Sequence, residues 1–509
     1  MAKFNVKVKV GDYSKREDAT VNHEGGLAFK LSPEMELYIR SASCLSGEKK
    51  FYDVDKNGDN EILKLVGEVS KTNPEFPLQL AAHCRNDLYL RSVPVALLVE
   101  SCKHDSKKYV RRYTPSIINR ADELTEAVAF YKQRNGDIGD ATKKGMLCNP
   151  LKRGLADSFH KFNEYQLAKY DRDGGVKLKD VMKIVHPKPK NPKEAALFKR
   201  VVERSLVTPE TWEVSLSTKG ASKKTWEEIL PKMSIMAVIR NLRNLLENDV
   251  DIKPVVKMLT DPKIIAKSKQ FPFRFYSAYK QVNKLDKKNT GKILDALNTA
   301  VELSVDNIPK LKGTTFVAVD LSGSMSHGLS DLSTMTLKEV GSLFGAMIHK
   351  KCKDSVVSVY GSEFKVVNLS TKNLVLTNME IIVNTNVGGS TNAWMSIRWL
   401  NKTKTIVDRI VLLTDEESYD SYGDHSVKGE LDIYRKTVNP DVYVYVINLA
   451  GYGTSEFPEG DKNVCLMGGW SDKVVEFIPA YEERETILGK IKKITPDTYK
   501  KVMKEKVEE

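Results

Sequence analysis

Residues 314–326 have the sequence TTFVAVDLSGSMS, in which a β-branched apolar run leads directly into polar side chains at alternate positions. The run Thr314 to Val319 predicts a buried strand, because β-branched residues pack well on a pleated sheet. Asp320, Ser322 and Ser324 would then lie at the carboxyl end of that strand. The Asp-x-Ser-x-Ser pattern is weak when it stands alone, so its interpretation depends on the segments that follow it.

Two further polar segments follow in order along the chain. Residues 388–392 are Gly-Gly-Ser-Thr-Asn, and residues 414–417 are Thr-Asp-Glu-Glu, directly after the apolar run Ile410 to Leu413. Loops at one edge of a sheet can converge, and these loops offer carboxylate and hydroxyl oxygens without any Cys or His. Such donors favour a hard octahedral cation such as Mg²⁺, which keeps some of its water ligands. The predicted metal ligands are Asp320, Ser322, Ser324, Thr391 and Asp415.

The segments around these loops predict an open α/β sheet. Short β-branched runs alternate with helical stretches such as Leu337 to Lys350, and the runs are 314–319, 356–360, 410–413 and 442–447. This alternation is typical of a sheet whose strands are mostly parallel.

The motifs and this alternation resemble the metal-ion-dependent adhesion site of von Willebrand factor A (vWA) domains, over roughly residues 311–509. The resemblance implies that Ser322, Ser324 and Thr391 bind the ion directly. It implies that Asp320 and Asp415 bind the ion directly or through water. A vWA-type fold with an empty or purely structural site, and a fold of another type, are the alternatives.

The chain before residue 310 has a different pattern, with apolar residues at helical spacing from about Leu78 to Val301. The predicted helical segments are 78–84, 94–102, 117–131, 150–163, 195–206, 233–246 and 271–282. Paired helices without a strand pattern fit a HEAT-like solenoid, in which neighbouring repeats bury one another's faces. Strand-like alternation is confined to Phe4 to Val10 in this part of the chain.

The positive charge of the chain is concentrated in the helical region. The sequence has 80 Lys and Arg against 67 Asp and Glu, a net charge of +13. Residues 101–310 sum to +17, whereas residues 311–509 sum to −3. A basic block of this size favours a polyanion as its partner. A solvated surface that is merely basic in composition is the alternative.

Five segments support a resemblance that covers nearly the whole chain. They are GMLCNPLKRGLA (145–156), LAKYDRDGG (167–175), LKDVMKIVHPKP (178–189), MAVIRNL (236–242) and FVAVDLSGSM (316–325). Together they resemble the TROVE-domain Ro ribonucleoprotein autoantigens, including bacterial and phage relatives. The resemblance implies an α plus α/β architecture, in which a HEAT-like all-α repeat ring, residues 1–310, is closed by an open α/β vWA-like domain, residues 311–509.

The same resemblance implies a function in RNA quality control. In the family, the hole of the ring accepts the single-stranded 3′ end of misfolded noncoding RNA, and the outer basic face binds Y RNA. Lys169 and His186 fall on positions implicated in Y RNA contact. The family's Arg aligns with Asp173 here, Arg172 lies one place earlier, and Val176 replaces an aromatic residue. This departure puts the affinity for Y RNA in question, although Arg172 offers a substitute.

Lys and Arg side chains can neutralise phosphates without reading bases, which suits recognition of RNA shape and loose ends. For any single one of them, a solvated helix face is the simpler role. The aromatic residues of 271–279 could stack on unpaired bases, but helical spacing favours core packing for them. The predicted RNA-binding residues are Lys152, Arg153, Lys169, Arg172, His186, Lys188, Arg240, Arg243, Arg274 and Lys280.

No motif predicts an enzyme. The sequence lacks GxxxxGK[ST], HExxH and GxSxG, and the hydroxyl-rich companions of Asp415 fit a single-ion site better than a two-metal nuclease. Residues 53–61 resemble the start of an EF-hand loop, but position twelve is Lys64 instead of Glu. An Asn-Gly surface turn is the preferred interpretation there.

The remaining expectations concern location and partners. Six scattered cysteines and an amino terminus without a secretory h-region favour a cytoplasmic protein, and no apolar stretch is long enough for a membrane span. We expect a monomer that binds noncoding RNA but not DNA, with an exoribonuclease or another protein as a candidate partner of the vWA-like part. The alternative function is a metal-dependent protein adhesion module with a helical scaffold. A metal-dependent nuclease is a third hypothesis.

Overall fold

The computed structural model describes residues 13–22, 25–43, 61–135, 147–171, 173–306, 308–329, 334–419, 425–469, 473–483 and 485–499. Contacts divide the chain into two compact units. The helical unit contains residues 33–214 and 486–509, and the α/β unit contains residues 1–32 and 215–485. This division follows packing within the chain. The boundary expected at residue 310 between two domains, and the closure of the helices into a ring, stay predictions.

Helices make up most of the helical unit. They are α1 (Pro33–Ala42), α2 (Glu61–Thr72), α3 (Phe76–Asn86), α4 (Ser92–Glu100), α5 (Lys107–Ile117), α6 (Ala121–Asn135), α7 (Asn149–Phe159), α8 (Glu164–Tyr170), α9 (Leu178–Val185) and α10 (Pro192–Glu203). Helix α3 packs against α4 and α5, α4 against α6, and α5 against α7. Packing between neighbours along the chain is what a helical repeat requires, since each helix buries its apolar face on the next ones.

Local sequence explains several of these helix boundaries. The Asn191 side chain caps α10 by accepting the Glu194 N–H at 2.9 Å, and Pro192 occupies the first helical position, where no N–H is needed. Helices α5 and α7 approach closely at Gly154, where an added Cβ would lie 2.4 Å from Thr114 Oγ1. A side chain at residue 154 would therefore push these two helices apart.

One predicted helix is interrupted in the structure. The segment 117–131 was expected to be continuous, but α5 ends at Ile117 and α6 begins at Ala121. The carboxylate of Glu123 accepts the Asn119 N–H at 2.7 Å and the Arg120 N–H at 3.0 Å. These bonds satisfy backbone donors at the start of α6, so a new helix begins where the apolar spacing alone predicts continuation.

The α/β unit contains helices before its large sheet, between the strands and after the last strand. They are α11 (Trp212–Lys219), α12 (Lys223–Ile229), α13 (Ile235–Glu247), α14 (Lys253–Thr260), α15 (Pro262–Ser268), α16 (Pro272–Val282), α17 (Thr290–Val305), α18 (Leu337–Lys351), α19 (Val375–Val383), α20 (Trp394–Thr403), α21 (Val427–Thr437) and α22 (Lys473–Glu482). Helix α11 spans the division at residue 214, and a last helix, α23 (Ile487–Lys492), belongs to the helical unit.

Nine strands form two sheets in the described part of the α/β unit. The strands are β1 (Ala19–Val21), β2 (Leu27–Lys30), β3 (Leu311–Asp320), β4 (Cys352–Tyr360), β5 (Phe364–Val367), β6 (Arg409–Thr414), β7 (Tyr443–Asn448), β8 (Thr454–Ser455) and β9 (Val464–Gly468). The small sheet has the order β1-β2-β8, and the large sheet has the order β5-β4-β3-β6-β7-β9. Strands β3, β4, β6, β7 and β9 pair in parallel, and β5 pairs antiparallel with β4 at one edge.

The large sheet confirms the predicted α/β architecture with mostly parallel strands. Strand β3 is exposed at Lys312 and Gly313 near its start but buried throughout Thr315 to Asp320, and every residue of its neighbour β6 is buried. Burial on both faces explains why these strands have continuous apolar runs without alternation. Strands β5 and β9 and the small sheet were not predicted. The expected strand at 4–10 and the EF-hand-like segment 53–60 lie outside the described residues.

The helices α1 to α10 followed along the chain by this mixed sheet confirm the predicted fold class. Within the described ranges, no helix is long and apolar enough to cross a membrane.

Candidate functional site

Three loops meet at the carboxyl edge of the parallel strands. The first loop, residues 321–326, follows β3; the second loop is residues 388–392; the third loop, residues 415–419, follows β6. The Gly323 N–H donates to the Gly389 carbonyl at 2.9 Å, and the Tyr419 N–H donates to the Thr391 carbonyl at 2.9 Å. The second loop is therefore hydrogen-bonded to both of the others. The predicted convergence of these loops is confirmed by their backbone contacts.

Asp320 is held by hydrogen bonds at the centre of this arrangement. Its Oδ1 accepts the Ser322 N–H at 2.8 Å, and its Oδ2 accepts the Thr414 hydroxyl at 3.1 Å. The hydroxyl oxygens of Ser322 and Ser324 lie 3.1 Å apart. A carboxylate and two hydroxyls are thus oriented by the first loop and by Thr414 at the end of β6.

The third loop contributes a second buried carboxylate. Asp415 is fully buried and its Oδ1 accepts the Glu417 N–H at 3.1 Å. Strand β6, which ends one residue before Asp415, lies next to β3 with Val319 opposite Leu413. The register of the two strands therefore places Asp320 and Asp415 at the same edge of the sheet.

Burial, together with the negative charge of Asp415, raises the pKa of Asp320 to about 7. Burial also raises the pKa of Glu416 to about 7, and it raises the pKa of Glu456 well above its usual range. Charged carboxylates are costly in such a position unless a positive charge accompanies them. The arrangement therefore fits a bound cation, which would offset the repulsion between Asp320 and Asp415.

The donor set also fits the predicted Mg²⁺. Within the described ranges, no group of three or more His, Cys, Asp or Glu side chains is arranged to hold a metal ion. A cation at this edge would thus depend on the hydroxyls of Ser322, Ser324 and Thr391 beside the two carboxylates. Oxygen-only sites of this kind suit hard cations that keep bound water.

A polar cavity of about 390 Å³ opens beside the first and second loops. Ser322, Gly323 and Gly389 line it together with Ser326, and Lys338 provides a positive charge. This cavity offers space for a ligand group next to the candidate metal centre. Sequence reasoning did not identify Lys338, because no motif includes it.

Three of the predicted RNA-binding residues line one groove in the α/β unit. Arg240 and Arg243 of α13 and Arg274 of α16 line a groove of about 290 Å³. Arg240 and Arg243 are exposed, and Arg243 lies 3.8 Å from Glu247. We call this feature the arginine groove. Three guanidinium groups thus bring positive charge to one concave surface.

Lys280 has a different environment from its neighbours on α16. Its ammonium group donates to Glu339 Oε1 at 2.6 Å and to the Thr334 carbonyl at 2.6 Å. The Lys280 side chain is 22% exposed. The ion pair gives Lys280 a structural role in the α/β unit, and its role in RNA binding stays a prediction.

His186 and Lys188 line a second groove, which belongs to the helical unit. This groove, of about 580 Å³, has basic side chains around an apolar floor that includes Phe198. His186 ends α9 in the left-handed conformation, with φ +51° and ψ +60°, and its side chain is exposed. Lys183 and Lys199 also line this groove, which we call the histidine groove. Sequence reasoning missed these two lysines, although their positions on the consecutive helices α9 and α10 offered a signal.

The other predicted residues of the helical unit are dispersed. Arg153 is exposed on α7, and Lys152 next to it is partly exposed. The Lys169 ammonium lies 5.9 Å from the ring centroids of Tyr165 and Tyr170, within range of a cation–π contact. Arg172 lies outside the described residues.

Asp173, the residue that departs from the Ro pattern, pairs with basic neighbours. It lies 2.8 Å from the Lys177 ammonium and 3.1 Å from the Arg204 guanidinium. These two cations lower the pKa of Asp173. The Asp therefore neutralises positive charge on this surface, and the effect of this departure on Y RNA binding stays a prediction.

The aromatic cluster of α16 belongs to the protein core. Phe271, Phe273, Phe275 and Tyr276 are all buried, with Phe275 fully so. The Tyr276 hydroxyl donates to Glu339 Oε1 at 3.0 Å. Core packing, which helical spacing favoured, is thus confirmed over base stacking for these four side chains.

Comparisons with known proteins agree with this architecture. The model of the TROVE domain matches residues 32–208 and 199–309, which is more than half of the chain, and the model of the Ro60 vWA domain matches residues 314–482. The crystal structure of the RO (RSR) protein of Deinococcus radiodurans superposes with a TM-score of 0.63. It covers 89% of this chain and 100% of that chain at 17% identity, so it supports the fold alone.

Curated relatives match the chain over shorter stretches. Telomerase protein component 1 of Mus musculus is 25% identical over 343 residues, which is 50% of this chain and 13% of that protein. The RNA-binding protein RO60 of Deinococcus radiodurans is 23% identical over 197 residues, 36% of this chain and 37% of that protein. The chain thus spans only a small part of the length of these relatives. From the domain matches, the chain belongs to the TROVE-domain Ro family and combines a TROVE region with a Ro60-type vWA domain.

Proposed function

We propose that this protein binds noncoding RNA, without catalysing a reaction, and acts in RNA quality control in the cytoplasm. The finer proposal is that a single-stranded 3′ end of misfolded RNA enters a basic hole, while Y RNA-like RNA binds an outer basic face. The Deinococcus radiodurans relative is named as an RNA-binding protein, and the two basic grooves of this chain support the same activity.

The arginine groove is the observation that carries this proposal. Arg240, Arg243 and Arg274 come from two different helices and line the same concave surface. Guanidinium groups bind phosphates through paired N–H donors, and they do so without reading the base. An anionic chain that is selected by shape and by a free end suits such a surface.

A binding titration tests the proposal directly. Full-length protein is titrated against a fluorescent single-stranded RNA with a free 3′ end, at several salt concentrations. We expect the affinity to fall steeply with salt, with a log–log slope of about −0.7 for each neutralised phosphate. Salt-independent binding, or dependence on one particular sequence, would contradict the proposal.

Matched variants locate the binding surface. The variant R240A/R243A/R274A removes the positive charge of the arginine groove. The variant K353A/K402A/K436A removes three exposed lysines of the α/β unit and serves as a control of equal charge change. Loss of affinity in the first variant alone assigns the binding to the groove. An equal loss of RNA affinity in both variants would show that binding depends on the overall positive charge of the protein and not on the groove.

The second part of the proposal concerns the loops at the sheet edge. We propose that Asp320, Ser322, Ser324, Thr391 and Asp415 hold Mg²⁺ or another divalent cation. The bound ion would supply a positive charge to which an acidic group of a protein partner can bind, in the polar cavity beside Ser322. An exoribonuclease is the candidate partner, and the chain itself acts as a monomer.

The alternative function is a metal-dependent adhesion module whose helices are only a scaffold. The polar cavity next to the metal centre favours this candidate. One experiment distinguishes the two functions. In it, D320N is tested for RNA affinity and for capture of a purified exoribonuclease. RNA affinity that is retained in D320N and lost in R240A/R243A/R274A supports RNA binding as the principal function. An absence of RNA binding in the wild-type chain, with capture that needs Asp320, would support the alternative.

A further inference from the structure

A hairpin near the amino terminus contacts the third loop of the candidate metal centre. Strands β1 and β2 pair antiparallel, with Val21 opposite Leu27, and β2 pairs with β8 through Phe29 and Ser455. Residues almost four hundred positions apart in the chain are thus brought together within the α/β unit. The sequence motifs of the metal centre do not include this hairpin.

Asn22 connects the hairpin to the third loop by hydrogen bonds. Its side chain is almost completely buried, at 6% exposure of the residue, and its Oδ1 accepts the Gly26 N–H at 2.8 Å. Its Nδ2 donates to the Ser418 carbonyl at 2.7 Å and lies 3.5 Å from the Glu416 carbonyl. One amide side chain therefore holds both the hairpin turn and the backbone that follows Asp415.

Gly26 allows this close approach. A Cβ at this position would lie 1.9 Å from the Ser418 carbonyl oxygen, which is far inside van der Waals contact. The hairpin backbone therefore lies directly on the third loop, with no space for a side chain between them.

The third loop needs support because its backbone is strained. Glu416, the residue after Asp415, has φ +63°, a left-handed conformation that is unfavourable for residues with a β-carbon. Its Oε2 accepts the Glu456 N–H at 2.9 Å, next to β8, and the Ser418 hydroxyl donates to Glu456. The hairpin and the segment after β8 therefore hold the loop from two directions. Such a conformation persists only where the surroundings determine it.

We propose that Asn22 is a positioning residue for the metal centre, and that the hairpin controls cation affinity by holding the third loop in place. This inference rests on the proposed metal site. Asn22 does not touch the ion; it acts through the backbone on which Asp415 is mounted. Groups that orient metal ligands typically change metal affinity by about 10–100-fold when they are removed. Displacement of the hairpin would then lower the affinity for the cation, and with it the binding of a partner at the adjacent cavity.

The test uses the full chain and two changes at Asn22. N22A removes the side chain, and N22L keeps a similar volume without hydrogen-bonding groups. V21A is the matched control, because Val21 is the neighbouring residue and is 64% exposed. Mg²⁺ affinity is measured by calorimetry, and hydrogen exchange of the Glu417 and Tyr419 amides is measured without metal. Both amides donate to residues of the metal centre, to Asp415 and Thr391 respectively.

We expect N22A and N22L to bind Mg²⁺ about 10–100-fold more weakly than wild type and V21A. The Glu417 and Tyr419 amides should exchange faster in both variants, while RNA affinity and the exchange of the strand β6 amides stay unchanged. Unchanged Mg²⁺ affinity with unchanged amide exchange would overturn the inference and leave the metal site standing. Absence of Mg²⁺ binding in the wild-type chain would overturn the proposed metal site and this inference together.

Discussion

The candidate metal centre and the arginine groove hold their charged groups in opposite ways. Asp320 and Asp415 are fully buried and are oriented by hydrogen bonds from their own loops. Arg240 and Arg243 are exposed, and they line the groove because of the face of α13 on which they lie. A buried site binds one small ion with defined geometry, whereas an exposed basic groove binds a long polyanion in many registers.

The largest expected effect is at the buried site. D320N keeps the shape of the side chain but removes one of the two negative charges of the proposed site, so Mg²⁺ affinity should fall by more than about 100-fold. Calorimetric titration of Mg²⁺ measures this change. RNA affinity serves as the control, and an equal loss of RNA affinity would show that the two regions are not independent.

The next largest effect concerns RNA binding at the arginine groove. R240A/R243A/R274A should weaken RNA binding by about 10–100-fold and make the log–log salt slope shallower by about 2, because three phosphate contacts are lost at about 0.7 each. Fluorescence anisotropy over a range of salt concentrations measures both quantities. A weaker affinity with an unchanged slope would mean that these arginines do not contact phosphates.

A smaller effect concerns the stability of the metal-free protein as a function of pH. Asp320 and Glu416 have raised pKa values of about 7 in the fold, so the folded state binds more protons than the unfolded chain between about pH 4 and 7. The stability contributed by their neutral forms is present below about pH 4 and is lost as the pH rises towards 7. Thermal unfolding should therefore show a lower Tm at pH 7.5 than at pH 5.5 in chelator.

Mg²⁺ provides the control for this pH dependence. Added ion should raise the Tm more at pH 7.5 than at pH 5.5, since it binds the ionised carboxylates. D320N should flatten the dependence and remove most of the effect of Mg²⁺. A Tm that rises with pH in chelator would contradict the assignment of these buried carboxyls as neutral.

The smallest effect separates Lys280 from the groove residues on the same helix. K280A breaks a partly buried ion pair with Glu339 and should lower the free energy of unfolding by about 1 kcal/mol, with little change in RNA affinity. R274A should weaken RNA binding with little change in the free energy of unfolding. Chemical denaturation and RNA titration of the two variants measure this, and a larger RNA defect in K280A than in R274A would refute the distinction.

The two regions also differ in how far the sequence predicts them. The candidate metal centre follows from strand ends, because β3 and β6 are parallel neighbours and their loops must lie at one edge. For this reason Asp320, Ser322, Ser324 and Asp415 could be grouped from spacing alone. Thr391 could be grouped only by its motif, and only the structure shows the backbone hydrogen bond that joins it to the third loop.

For the basic residues, the sequence could predict the region in which they are concentrated, but not which of them lie together on one surface. Charge counts located a basic block in 101–310, but which helix faces meet depends on packing between helices that sequence periodicity does not specify. Arg274 and Lys280 are both on α16, yet one lines the groove and the other forms an ion pair with Glu339. Asn22 was missed for a similar reason, since its partners lie at the far end of the chain.

The left-handed backbone of His186 has a consequence for the evolution of stability in this protein. A residue with a β-carbon in this conformation costs about 1–2 kcal/mol relative to glycine, which adopts the conformation freely. Selection for heat resistance alone would thus favour glycine at position 186, and the imidazole would disappear from the wall of the histidine groove. If histidine persisted there under such selection, its imidazole ring would be required for function, and this requirement would outweigh the gain in stability from glycine.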